Sequence, residues 1–174
     1  MCFAASTAKL DYSPCKYNAN EFQEIMCVSQ NAFEVLEAFR QNKNNSNIRE
    51  IQLRNIANLT DDITKEIFDI VASAASDKIK KISLEEIGSI SRAPKAFSRF
   101  TNLRDIYMTN IKGIKILPAE SMTFTSNTLK RINFHFSDLE VIEPGAFKGI
   151  FKVQRFNNVI TSATLLILQN RTSR

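Results

Sequence analysis

The amino-acid sequence predicts an α/β fold built from repeated units, each made of a short strand and a return segment. Three observations support this prediction. Apolar residues recur at the same offsets in several segments, these segments begin 24 to 31 residues apart, and a Pro followed by Ala-Phe recurs in the second half of two units. The 174 residues, 44% hydrophobic and 24% charged, are enough for one globular domain with a sizeable core.

The strands are predicted from the spacing L-x-x-L-x-L, in which the second and third apolar residues alternate and therefore point to one face. Four copies are recognisable: "IREIQLRNIANL", "IKKISLEEIGSI", "LRDIYMTNIKGI" and "LKRINFHFSDL". A fifth copy, "VQRFNNVI", matches the pattern at its first two apolar positions and then departs from it. The first anchors of the copies are Ile48, Ile79, Leu103, Leu129 and Val153.

This spacing is the leucine-rich-repeat pattern. It predicts a solenoid of about four to five coils, with short parallel strands on the concave face and helical or irregular convex arcs. Strands stacked about 4.8 Å apart would bring the second anchors into one row of Ile51, Ile82, Ile106 and Ile132. Ordinary amphipathic strands and helices in an α/β domain are the alternative. They explain the alternation within a unit but not the recurring Pro and Ala-Phe.

The segments after the strands predict two departures from the usual repeat. The position where an asparagine ordinarily ties down the turn is occupied by Ile56, Ile87, Ile111 and Ser137, so we expect no ladder of asparagine side chains. The first unit is longer and contains "DDITKEIFDIVASAAS", whose apolar residues have helical spacing. We expect a helix of about three turns there, with Asp61 or Asp62 as its N-cap.

Residues 14–47 are predicted to cap the start of the repeats, because the end of a solenoid exposes apolar surface. Cys15 and Cys27 enclose a short polar loop, which favours a disulfide bond between them. Free thiols are the alternative, whereas two cysteines and one distant histidine are too few ligands for a zinc site. A helix is expected over residues 33–41, with an apolar face made of Phe33, Leu36 and Phe39.

The remaining boundaries follow from the repeats. Residues 48–160 are predicted to form the leucine-rich repeats, and residues 161–174 a C-terminal tail or an incomplete repeat. Residues 1–13 contain Ala-Ser-Thr-Ala, which has the small side chains of a signal-peptidase site. We interpret this segment as the remnant of a signal peptide with a linker.

Catalytic and cofactor motifs are not recognisable in the sequence. It contains one histidine, His135, and no G-x-S-x-G, P-loop, H-E-x-x-H or dinucleotide motif. We therefore expect no enzyme activity, no cofactor and no metal site, and keep a hydrolase in an unrecognised fold as a third hypothesis. No apolar run is long enough to span a membrane, and no nucleic-acid-binding motif accompanies the net charge of +5.

The residues between the anchors are predicted to face the concave side. Those directly after the first anchors form a column of cations, Arg49, Lys80, Arg104 and Lys130, which would attract an acidic protein or an anionic glycan. Further candidate contacts on this face are Arg131, Tyr107, Asn133 and His135, and the tyrosine has the amphipathic ring of an interface anchor. The alternative is a solvated face whose cations are neutralised by Glu50, Glu85 and Asp105.

The order of motifs resembles that of a known family. "SPC", a second cysteine, a Phe-rich helical stretch and "IREIQL" are followed by units ending in "APKAF", "ILPAESM" and "IEPGAF". Over residues 14–158 the chain is similar to secreted arthropod leucine-rich-repeat proteins, a family often described as similar to the non-catalytic subunit of a shrimp luciferin monooxygenase. The resemblance implies an extracellular binding or scaffolding role and does not imply bioluminescence. The chain departs from the family in its short length, few cysteines and lack of a clear C-terminal cap.

Three sequons, at Asn44, Asn58 and Asn170, are compatible with export and glycosylation. Chance alone gives about one or two sequons in a chain this rich in asparagine, so they add little. The cysteines and the family resemblance predict a secreted, non-catalytic binding module that engages a protein or an acidic glycan. The alternative is an intracellular leucine-rich-repeat adaptor with reduced cysteines.

Overall fold

The computed structural model describes residues 13–18, 23–88, 90–91, 95–120, 128–136, 138–146 and 155–158. Over these residues the chain forms an open α/β structure, with a seven-stranded mixed sheet, a separate pair of short strands and two α-helices. The strands are β1 Cys15–Asn18, β2 Glu24–Val28, β3 Glu50–Arg54, β4 Lys81–Glu85, β5 Asp105–Ile111, β6 Ile116–Leu117, β7 Arg131–Phe136, β8 Val141–Ile142 and β9 Arg155–Asn158. The helices are α1 Ala32–Gln41 and α2 Asp61–Ala75, and a 3₁₀ helix spans Lys95–Arg99.

The strands of the large sheet are ordered β1-β2-β3-β4-β5-β7-β9, and all neighbours except the β1–β2 pair are parallel. The predicted row of second anchors is confirmed, because Ile51 faces Ile82, Ile82 faces Ile106 and Ile106 faces Ile132. Each of these four side chains is at most 1% exposed. The row keeps one face of the sheet apolar from strand to strand.

One strand of this row was not predicted. In β2, Ile25 and Cys27 face Ile51 and Leu53 of β3, so both residues extend the rows of anchors by one strand before β3. The predicted polar loop between the cysteines is therefore wrong, since Cys15 and Cys27 lie opposite each other in the antiparallel β1–β2 hairpin. The disulfide bond between them is confirmed.

The turns after the strands bury apolar side chains. Ile56, Ile87 and Ile111, which stand where the asparagine is usual, have no exposed surface, and Ser137 lies outside the described residues. The late anchors of the same units, Leu59, Ile90 and Ile114, are equally buried and join the same hydrophobic core. The chain therefore closes these turns by burying apolar side chains beneath the sheet.

Helix α2 is longer than predicted and begins differently. It runs for 15 residues, and its N-cap is Thr60, whose hydroxyl accepts a hydrogen bond from the Ile63 N–H, rather than Asp61 or Asp62. The two aspartates lie in the first turn, where negative charge stabilises a helix. The buried side of the helix carries Phe68, which packs edge to face against Phe97 of the 3₁₀ helix.

Helix α1 covers the start of the sheet, but its apolar face is not the predicted one. Leu36 and Phe39 are buried as expected, whereas Phe33 is 62% exposed. Ala32 and Val35 complete the buried face instead, because they lie about one turn from Leu36 and Phe39 on the same side. Phe33 follows Ala32 by one residue, so it points away from the buried side of the helix and faces solvent.

Candidate functional site

The candidate binding surface is the open face of the sheet, which is the side opposite the helices. The alternation within each strand turns Glu50, Gln52 and Arg54 of β3 to this face, while Ile51 and Leu53 enter the core. Because the strands are in register, the outward positions of β4, β5 and β7 continue the same three rows. The open face is thus a regular array of polar side chains one strand apart.

The first row of the open face alternates in charge and is ion-paired. It consists of Glu50, Lys81, Asp105 and Arg131, which are register partners on successive strands. Lys81 Nζ lies 3.1 Å from Glu50 Oε2, and the Arg131 guanidinium donates to both Asp105 oxygens at 2.6 and 2.8 Å. Arg131, a predicted contact, is therefore bound within the protein.

The charge of Arg131 is stabilised by this partner. Its hydrogen bonds to Asp105, with the attraction between the two charges, raise the pKa of the guanidinium above its ordinary value. A bidentate arginine–carboxylate pair fixes both side chains in one plane. Arg131 thus offers less free charge to an external acid than its sequence position implies.

A second network is centred on Glu85. Gln52 Nε2 and Ser83 Oγ donate to Glu85 Oε1 at 3.3 and 3.2 Å, and Arg54 Nε lies 2.9 Å from the other oxygen. Ser83 is only 3% exposed, so the Glu85 carboxylate is held by a buried hydroxyl as well as by the exposed Arg54 side chain. The carboxylates of these rows are thus paired with cations of the open face itself.

The predicted cation column lies at a different place, beside the open face and not on it. Each of its residues comes directly before a strand, and we call this set the entry row: Arg49, Lys80, Arg104 and Lys130. Lys80 N donates to Arg49 O at 2.7 Å, Arg104 N to Lys80 O at 2.8 Å and Lys130 N to Arg104 O at 2.7 Å. These backbone bonds hold the four cations one strand spacing apart, about 4.8 Å.

The entry row keeps its charge available. Arg49, Arg104 and Lys130 are exposed and Lys80 is half-buried. Among the described residues, none of the four forms an ion pair, since Glu50 pairs with Lys81, Asp105 with Arg131 and Glu85 with Arg54. The acids expected to neutralise this column are thus bound to other cations.

The other predicted contacts, Tyr107, Asn133 and His135, lie on the open face in the second and third rows of β5 and β7. Tyr107 is half-buried between Ser83 and Asn133, its register partners, and Lys81 Nζ lies 5.9 Å from the centre of its ring. His135 faces Thr109 and is half-buried. The sequence places Gln52 and Ser83 on this face too, between the same anchors, but sequence reasoning did not select them as contacts.

Two of the three sequons lie in the described segments, and Asn170 lies outside them. Asn44 is exposed in the turn after α1. The Asn58 side chain accepts a hydrogen bond from the Ala32 N–H at 2.9 Å, and Thr60 of the same sequon caps α2. The polar residues of that sequon therefore already have structural partners.

A scan against protein-family models finds no match, and searches of curated proteins and of solved structures find none either. Within the described segments, no three His, Cys, Asp or Glu side chains are grouped to hold a metal ion. No helix in those segments is both long and apolar enough to cross a bilayer.

Proposed function

We propose that this chain is a non-catalytic binding module of the leucine-rich-repeat class and that its entry row binds an acidic partner. The observation that carries the proposal is four cations held one strand apart with no ion-pair partner among the described residues. An anionic glycan or an acidic protein segment lying across the strands would meet these charges in sequence. Tyr107 and Asn133 on the adjacent open face would contact the body of the partner.

The repeat assignment is supported by register. Five parallel strands carry their anchors in common rows, each strand is followed by a return segment, and β6 and β8 pair in parallel in two successive units. These are properties of a solenoid, in which each unit buries its apolar side against the next. The resemblance to secreted arthropod leucine-rich-repeat proteins supports the same assignment.

We further propose that the protein acts outside the cell. The Cys15–Cys27 disulfide is the supporting observation, because such bonds persist in oxidising compartments. Mass spectrometry of the protein from its natural source distinguishes this from an intracellular adaptor. An oxidised Cys15–Cys27 peptide with glycan on Asn44 or Asn58 supports export, whereas free thiols and unmodified asparagines support the adaptor.

Heparin chromatography tests the entry row. The double variant Lys80→Glu/Lys130→Glu should elute at distinctly lower salt than the wild type and bind heparin at least tenfold more weakly. The physical reason is that it replaces two of the four cations that attract the polyanion by negative charges. Neither lysine has an ion pair among the described residues, so we expect little change in the unfolding midpoint.

The matched control is Lys65→Glu/Lys115→Glu, which changes the net charge by the same amount. Lys65 lies on α2 and Lys115 lies before β6, and both side chains are more than two-thirds exposed, at 67% and 69%. This control should lose less affinity than the entry-row variant. Equal elution of the two double variants would remove the proposed role of the entry row.

A further inference from the structure

A cavity of about 460 Å³ lies at the opposite end of the strands from the entry row. It is lined by residues at the ends of β3, β4 and β5 and by Gln30 of the loop before α1. Its size falls within the range of small-molecule sites, roughly 300–1,000 Å³. The polar residues and glycine that line it are Gln30, Asn55, Glu86, Gly88, Asn110 and Lys112.

Three cavity residues share an unusual backbone conformation. Asn55, Glu86 and Asn110 have φ angles of 57°, 55° and 53°. Asparagine tolerates this left-handed region, but for glutamate the Cβ is crowded and the conformation is costly. Bonds to the neighbouring strand hold the turns in place, since Asn55 N donates to Glu85 O at 3.1 Å and Glu86 N to Thr109 O at 2.9 Å. Strain held in this way is often found at functional sites.

A glycine lets the units approach closely beside the cavity. A Cβ at Gly88 would lie 2.4 Å from the Ala57 carbonyl oxygen, a distance that real side chains do not reach. Gly88 N donates instead to Ile56 O at 3.0 Å. The wall at this point is therefore backbone rather than side chain.

The polar side chains of the cavity are free to bind a ligand. Among the described residues, Gln30, Asn55, Glu86, Asn110 and Lys112 make no side-chain hydrogen bond or ion pair. This differs from the open face, where carboxylates and cations are paired with each other. The cavity thus combines amides that both donate and accept, one carboxylate that accepts and one ammonium that donates.

We propose that this cavity binds a neutral saccharide. Sugar hydroxyls both donate and accept hydrogen bonds, which matches the mixture of amides, carboxylate and ammonium. Glu86 disfavours a purely anionic ligand and Lys112 a purely cationic one. The inference does not rest on the proposed role of the entry row, because the two sites lie at opposite ends of the strands and use different residues.

Saturation-transfer NMR on the full chain tests the proposal with methyl glycosides of glucose, mannose, galactose and N-acetylglucosamine as probes. We expect transfer to at least one sugar, with a Kd that Glu86→Gly and Asn110→Gly each raise at least tenfold. Glycine keeps the left-handed backbone and removes only the side chain, so the unfolding midpoint of Glu86→Gly should be equal to or above that of the wild type.

Two control variants test whether the sugar binds in this cavity rather than elsewhere on the surface. Asn44→Gly makes the same change as Asn110→Gly at an exposed turn and should leave sugar binding unchanged. Lys80→Glu/Lys130→Glu should also retain it, whatever its effect on heparin. The proposal is overturned if no probe receives saturation from the folded protein, or if both glycine variants bind as the wild type does.

Discussion

Replacement of Phe68 by alanine is expected to lower the free energy of unfolding by about 3–5 kcal/mol. Phe68 has no exposed surface, and its ring meets those of Phe97 and Phe100 edge to face, with centroids 5.1 and 6.0 Å away. Truncation would leave a cavity between α2 and the next return segment and remove both ring contacts. Urea unfolding followed by circular dichroism measures the change.

Phe33→Ala is the matched control for this prediction. It is the same substitution on the neighbouring helix, but Phe33 is 62% exposed, so its loss should cost less than about 0.5 kcal/mol. Similar losses of stability for the two variants would contradict the packing of α2 against the return segment that contains Phe97.

Removal of the disulfide is expected to have the next largest effect. Cys15→Ala should lower the free energy of unfolding by about 3 kcal/mol. The bond joins cysteines 12 residues apart, and a loop of that length restricts the unfolded chain. Cys27 would remain as a buried thiol and pack as a small apolar side chain. Thermal unfolding under non-reducing conditions should show a lower midpoint, by roughly 6–12 °C.

Reductant provides the internal control for the cysteine variant. It should lower the midpoint of the wild type towards that of Cys15→Ala and leave the variant unchanged. If the variant and the oxidised wild type unfold at the same temperature, the disulfide does not contribute to global stability. In that case β1 and β2 would open independently of the other strands.

The rows of anchors could be predicted from the sequence because their cause is local. Alternation places Ile51 and Leu53 on one face, and a recurring unit gives each anchor an equivalent in the next strand. The strand β2 was missed for a specific reason. Cys27 is both a disulfide partner and an anchor, and only the first role was recognised.

The ends of the helices were less predictable. Thr60, Asp61 and Asp62 all have side chains suited to an N-cap, and propensity does not distinguish between neighbours of this kind. The structure selects Thr60 because its hydroxyl reaches the Ile63 N–H. Phe33 was placed on the buried face because of its side chain, although the helical period favours Ala32 and Val35.

The charge pattern was predictable only in part. The sequence identifies which positions carry acids and bases, but ion pairs depend on which side chains reach across the strands. Glu50 meets Lys81 rather than its neighbour Arg49, and Asp105 meets Arg131 rather than Arg104. The left-handed turns at Asn55, Glu86 and Asn110 were likewise not predicted. Asn55 and Asn110 follow the first anchors of their segments by the same number of residues, and this recurrence of asparagine could have indicated the turns.

The salt dependence of heparin binding tests the central claim most directly. We would measure the affinity for a heparin oligosaccharide by calorimetry at several salt concentrations, from about 50 to about 200 mM, for Arg49→Ala, Lys80→Ala, Arg104→Ala and Lys130→Ala. Each should reduce the slope of log affinity against log salt concentration by about one. Arg131→Ala should leave the slope nearly unchanged, because Asp105 already pairs with that arginine. Unaltered slopes in the four variants, or an equal reduction in Arg131→Ala, would contradict binding through the entry row.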